Sequence, residues 1–173
     1  MVRSAEVRYV EAKKCEKCPV GAESPNWGIE GENGIRFVAV LESSDWRALR
    51  TDYMTELFLT RSGRAISEVL GEDLEYTLIT NAAKCLYQGG HKKPTRQMYE
   101  QCAANVRWQI EEIMPELVIC FGEKAAEAVT GERFADVVGQ VRGNVVIVHH
   151  PRVMTREEKT LIKEILGTKK AEG

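Results

Sequence analysis

Apolar and polar positions along this chain fall into two alternating kinds of run. "IRFVAVL" (35–41) is a short, nearly unbroken apolar stretch between polar turns, which predicts a buried strand. "SGRAISEVLGE" repeats Ala65, Ile66, Val69 and Leu70 at helical spacing, with Gly71 as a stop. "YTLITN" is a second run of β-formers, ending where Asn81 begins. "PTRQMYEQCAANVRWQIEEIMP" opens with Pro94 and Thr95 and closes at Pro115, which predicts a helix of about five turns. "ELVICFG" predicts a third strand, "EKAAEAVTG" a short helix stopped by Gly131, and "NVVIVHHP" a fourth strand. "TREEKTLIKEILG" predicts a last helix, with Thr155 and Glu158 at capping-box spacing.

Strands that alternate with helices predict an α/β domain whose mostly parallel sheet is covered on both faces. At 173 residues the chain reads as one domain spanning 1–173. Residues 1–34 are rich in Gly, Pro, Glu and Asn without a period, and read as an arm tied down by something other than a core. Residues 168–173 read as a flexible tail. In this layout Asn81, "HHP" and "LESSD" fall just past the carboxyl ends of three strands, the rim where a doubly wound sheet takes its ligand. Taken alone, Asn81 is better read as the cap of a turn; its companions on the rim make it a candidate site residue.

Composition adds limits. Hydrophobic residues at 43% and charged residues at 29% fit a globular domain with a core. No run approaches the ~18 apolar residues of a membrane span, and "MVRSAEVRYVEAKK" lacks the apolar core of a signal peptide, so a cytoplasmic protein is expected. A net charge of −2 argues against a surface that embraces nucleic acid all round. It leaves room for local basic clusters, namely "RSGR" (61–64), "HKKPTR" (91–96) and "HHPR" (149–152).

Five cysteines in a reducing compartment point away from disulfides. Cys15 and Cys18 form a Cys-x-x-Cys pair, Cys85 follows the second strand, and Cys102 lies early in the long helix. Spacing alone suits a tetrahedral zinc site and a four-cysteine iron–sulfur cluster equally. Cys120, inside an apolar strand, reads as a small core residue.

"CEKCPV", "LFLTRSGRAI", "TLITNAAKC", "KPTRQMYEQC", "MPELVICFGEKAAEAV" and "HHP" together resemble, in order and spacing, the family-four iron–sulfur branch of the uracil-DNA glycosylases. The resemblance runs from about Cys15 to Pro151. It implies a three-layer α/β/α sandwich around a four-stranded mainly parallel sheet. It also implies a 4Fe–4S cluster on Cys15, Cys18, Cys85 and Cys102, with zinc as the alternative. The partner implied is DNA containing a deaminated base, bound by a monomer.

Residue by residue, the base-reading asparagine of that family falls on Asn81, the base-stacking phenylalanine on Phe58, and the histidine of the His-Pro motif on His150. The first-motif carboxylate falls on Glu42. The "HHPRVMT" loop resembles one that enters the minor groove, with Val153 or Met154 as the wedge and Arg152 on a phosphate. Ser62 and Gly63 would bring backbone N–H groups to phosphates.

Three departures stand out. Leu41-Glu42-Ser43-Ser44-Asp45 replaces Gly-Glu-Ala-Pro-Gly, Arg152 replaces a serine, and Thr60 replaces a glycine. The stretch from Arg142-Gly143 to His149 reads as a trimmed hairpin. His91 lies where one branch of the superfamily has a histidine that bonds the abasic sugar; here it reads as a solvated loop residue. Two functions are therefore expected in competition. One is monofunctional hydrolysis of uracil or a related deaminated base from DNA; the other is a nucleic-acid-binding module of the same fold with weak or no catalysis.

Overall fold

The structure is a computed structural model that describes residues 28, 30–43, 59–84 and 94–172. Its elements are β1 (Phe37–Ser43), α1 (Arg61–Leu70), a 3-10 turn (Gly71–Tyr76), β2 (Thr77–Ala83) and α2 (Arg96–Ile113). Then come β3 (Leu117–Phe121), α3 (Glu123–Thr130), the single turn α4 (Phe134–Val137), β4 (Val141–Arg142), β5 (Val145–Val148) and α5 (Arg156–Glu172). The sheet order is β2-β1-β3-β5-β4, parallel except for β4 against β5.

The expected four parallel strands are present, and the count is corrected to five by β4. This two-residue strand is half of a tight hairpin turned at Gly143, whose φ of 61° favours glycine. Too short to carry a pattern of its own, β4 was legible only as the trimmed hairpin.

Period-two alternation sorts each strand's side chains into two cores. Phe37, Ala39, Leu41, Ile79, Ile119, Phe121, Val146 and Val148 pack with Ile66 and Leu70 of α1 and Ile162 and Leu166 of α5. Val38, Val40, Leu78, Val118, Cys120 and Ile147 pack with Val106 of α2 and Ala125, Ala126 and Ala128 of α3. The result is the three-layer α/β/α sandwich. Cys120 is fully buried, and burial pushes its thiol up to about 12, so it is a core residue.

Two boundaries differ from expectation. The tail is helical to Glu172: Thr168 Oγ1 donates to the Glu164 carbonyl at 3.0 Å, and Lys170 reaches Asp73 at 3.2 Å. That contact with the 3-10 turn gives the last turn of α5 a tertiary partner that sequence composition does not reveal. At the other end of the chain, the described part of the arm covers the open edge of β2. Gly31 N–H donates to the Thr77 carbonyl at 3.1 Å and Asn33 N–H to that of Glu75 at 3.0 Å, while on the opposite edge Arg36 N–H donates to the Tyr76 carbonyl at 2.8 Å and extends the β1–β2 ladder.

This approach is close enough to require glycine: a Cβ on Gly31 would lie 2.2 Å from the Glu75 carbonyl oxygen. Gly31→Ala must therefore displace backbone, and is expected to lower stability by about 1–3 kcal/mol. Urea denaturation would measure the loss, and an unchanged midpoint would contradict this packing.

Candidate functional site

The sheet register levels the strand ends. Leu41 pairs with Asn81 and Ser43 with Ala83, Val40 pairs with Cys120, and Phe121 with Val148. Glu42, Asn81, Gly122 and the His149-His150 pair therefore share one rim. The chain runs from β1 outward to β2 and returns past β1 to β3, so the β1–β3 crevice is the topological switch point.

Asn81 lies inside β2, which continues to Ala83, rather than past its end. The reading of Asn81 as a turn cap is thereby overturned, because ladder pairing with β1 extends the strand. Its side chain is fully buried. Glu42 is likewise the sixth of seven residues of β1, and is partly exposed.

Glu42 and His150 lie close enough for charge coupling. Burial, with the Arg152 cation adding to it, holds the His150 imidazole below its ordinary range, against the pull of the Glu42 carboxylate. The ring is thus neutral near pH 7. Arg152 N–H donates to His150 Nδ1 at 3.3 Å, which assigns the proton of the neutral ring to Nε2. Gly122, at φ 93°, backs the histidine: a Cβ there would sit 3.4 Å from His150 Cβ. On the other side, Tyr99 Oη donates to Glu42 Oε1 at 3.2 Å.

The loop after β5 is held at both ends by one carboxylate. Glu158 Oε1 accepts from His149 N–H at 2.9 Å and lies 2.8 Å from His149 Nδ1, while Oε2 accepts from Thr155 N–H at 2.8 Å. Thr155 Oγ1 accepts in turn from Glu158 N–H at 3.2 Å, completing the expected capping box. Burial pushes the Glu158 carboxyl up, but hydrogen bonds from Thr155 and His149 outweigh it and leave the group below its ordinary range. Between these ends, Val153 N–H donates to the His150 carbonyl at 2.9 Å, a turn with Pro151 second. The structure separates the two wedge candidates: Val153 is 66% exposed at the tip, whereas Met154 is 8% exposed and packs in the core with Ile162 and Leu166.

At α1, Thr60 is the N-cap, its Oγ1 accepting from Gly63 N–H at 2.9 Å. The threonine in a glycine's place thus serves as a side-chain cap, worth about a few tenths of a kcal/mol over glycine. It also corrects the reading of Gly63, whose N–H serves the cap rather than a phosphate and whose residue is buried. Ser62 stays in the first turn, partly exposed. Phe58 and His91 lie outside the described residues.

Cys15, Cys18 and Cys85 also lie outside the described residues, and among those described no three metal-type side chains gather. Cys102 is buried in the second turn of α2. Beside it lies Lys84, which is fully buried and donates from Nζ to Thr80 Oγ1 at 2.5 Å and Gln109 Oε1 at 2.7 Å. Burial lowers the Lys84 ammonium to about 7, and the nearby Cys102 sulfur opposes that shift by favouring the cation. A lysine held against a cysteine, with a second cysteine next in the chain, suits an anionic thiolate centre. The donor chemistry therefore fits the implied cluster.

Sequence reasoning missed Tyr99, Gly122, Lys84 and the reach of Glu158 to His149. Only Lys84 carried a local signal, as a charge amid the β-formers and alanines of "TLITNAAKC".

Comparison with known proteins gives two matches. The family model described as "Uracil DNA glycosylase superfamily" matches residues 31–167. The Type-4 uracil-DNA glycosylase of Archaeoglobus fulgidus is 29% identical over 123 residues, covering 68% of this chain and 59% of that protein. The chain therefore spans less than two thirds of that relative's length.

The Glu158 contacts generate a stability prediction. Glu158→Gln converts one acceptor oxygen into a donor facing buried N–H groups, and is expected to cost about 1–3 kcal/mol at pH 7. Because the native carboxyl sits below its unfolded value, its contribution is present above the ordinary carboxylate range and is lost as pH falls through the native value. Urea midpoints of the two proteins should thus converge on acidification. A gap independent of pH would rule out the ionised latch.

Proposed function

Because this chain belongs to the uracil DNA glycosylase superfamily, we propose that it hydrolyses the N-glycosidic bond of uracil, or of a related deaminated base, in DNA. The observation that carries this reading is the pairing at the switch point: Glu42 on β1 couples to a neutral His150 after β5, with Asn81 level with them on β2. The name of the Archaeoglobus relative supports the choice of base.

An enzyme acting on a base must first extrude it from the stack. Phe58 supplies the stacking face. The Asn81 amide accepts from uracil N3–H and donates to O4, whereas cytosine presents the reverse pattern and is refused. Water attacks C1′ as the bond to the base breaks, and the bonding electrons leave with uracil. His150 Nε2–H donates to O2, where negative charge grows. Glu42 orients the water, accepts its proton and stabilises the cationic sugar.

On the strand, Arg152 pairs with a phosphate and Val153 enters the space left by the base, with Met154 as the buried anchor of the loop. Ser62, at the start of α1, faces a phosphate. Cys15, Cys18, Cys85 and Cys102 would hold a 4Fe–4S cluster, which supplies a cross-link between the N-terminal arm and the β2–α2 corner.

Anaerobically purified protein, incubated with oligonucleotides containing a single deoxyuridine, should produce alkali-labile abasic sites. Asn81→Ala and His150→Ala should each lower the rate by about 100-fold or more, and Asn81→Asp should admit cytosine. No release of uracil, hypoxanthine or xanthine by a metal-loaded protein would overturn the reading in favour of a non-catalytic binding module. Metal analysis of the same preparation should find about four irons per chain. A colourless, zinc-loaded protein would refute the cluster.

A further inference from the structure

The first motif of this chain lacks the glycines and proline that shape its counterpart in the family it resembles, yet its carboxylate is not loosely held. Leu41 and Ser43, the neighbours of Glu42, are pinned in the β1–β2 ladder opposite Asn81 and Ala83. Alternation then points Glu42 to the same face as Val38 and Val40, the face covered by α2 and α3. There it meets Tyr99, in the first turn of α2.

The Tyr99 phenol is well fixed. Its backbone N–H donates to the Thr95 carbonyl at 3.2 Å, within a helix start capped by Thr95 Oγ1. The ring is half-buried, with Lys124 Nζ 5.8 Å from its centroid, and Lys124 is itself paired with Glu123 and Glu127. The hydroxyl donates to Glu42 Oε1 at 3.2 Å and also hydrogen-bonds the Ser43 side chain. Burial, and next the Glu42 carboxylate, raise the phenol far above its ordinary range, so it remains a donor throughout the working pH range.

We infer that Tyr99 is a positioning residue for Glu42: by occupying Oε1 it fixes the carboxylate plane and leaves Oε2 for the attacking water. In this chain, where the first motif lacks its glycines, a tyrosine from the neighbouring helix holds the carboxylate. Ser43, in place of that motif's alanine, braces the same hydroxyl. Tyr99 touches no reacting atom and acts only through Glu42. The inference rests on the glycosylase reading and deepens it.

A double-mutant cycle tests it. Uracil release from a deoxyuridine oligonucleotide is compared for wild type, Tyr99→Phe, Glu42→Gln and the double variant, in single-turnover and steady-state assays. Tyr99→Phe should lower kcat about ten-fold with KM unchanged, because the substrate contacts stay intact while the carboxylate loses its fixed orientation toward the water. In the Glu42→Gln background the same change should alter the rate by less than about two-fold.

A merely structural tyrosine would slow both backgrounds alike, and that result would overturn the inference. So would a Tyr99→Phe enzyme with wild-type kcat. If the wild type itself releases no base, the glycosylase reading fails and takes this inference with it. An active wild type with no coupling between the two residues sinks Tyr99 alone.

Discussion

Strand β1 is hydrogen-bonded along both of its edges, to β2 and to β3, and is buried on both faces. A slip of one residue would turn Phe37, Ala39 and Leu41 from one core into the other and would leave both ladders unpaired. With every hydrophobic contact of the central strand set against such a slip, the register is fixed, and the level of its last residues is fixed with it. Glu42 is held one step beyond Leu41, opposite the neighbourhood of Asn81, by the burial of residues that take no part in chemistry. The β3–β5 ladder carries the same constraint across the switch point, where Phe121 pairs with Val148 and sets the height at which His149 and His150 leave the sheet.

Beyond the strand ends the backbone has no ladder, and side chains take over. Glu158 replaces the missing pairs for the loop after β5, bridging from His149 at its start to Thr155 at its end. The loop between these points is short enough that the turn at Pro151 and the buried Met154 leave Arg152 and Val153 facing outward. Gly122 matters for a complementary reason: its φ of 93° favours glycine, and that turn sets the β3 end against His150, where a Cβ would sit in ordinary contact at 3.4 Å. A neutral histidine half-buried beside a carboxylate keeps a donor to offer, because the Arg152 N–H on Nδ1 leaves its proton on Nε2.

The layers, the four long strands and the helices between them were legible in the sequence because each strand is a dense run of β-formers and each long helix is bracketed by Pro, Thr or Gly. Strand ends were not. Asn81 looks like a boundary because polar residues usually mark one, yet pairing with Leu41 carries β2 beyond it. The helical tail was hidden for a similar reason, since Lys170 finds Asp73 only in the folded chain. Of the candidate site, Glu42, Asn81 and His150 stand out in the sequence because they fall near strand ends in a recognisable order of motifs. Tyr99 and Glu158 could not, as their partners lie on other elements and their residue types are ordinary for helices. For Arg152, Val153 and Met154 the sequence shows only a shared loop, and burial tells the anchor from the tip.

Helix α2 joins two tasks that a functional reading tends to keep apart. Tyr99 and Cys102 are three residues apart, so they share a face of the helix, and the phenol senses the Cys102 sulfur as well as the Glu42 carboxylate. Further along, Gln109 meets Thr80 and Lys84 of the β2 end, a buried network that locks the helix to the strand carrying Asn81. If the four cysteines hold a cluster, removing it frees the start of α2 from one of its tethers. The first group to feel that release would be Tyr99, and through it the Glu42 carboxylate. A cluster that transfers no electrons would on this geometry still bear on the proposed turnover, through the Tyr99–Glu42 contact one turn from Cys102.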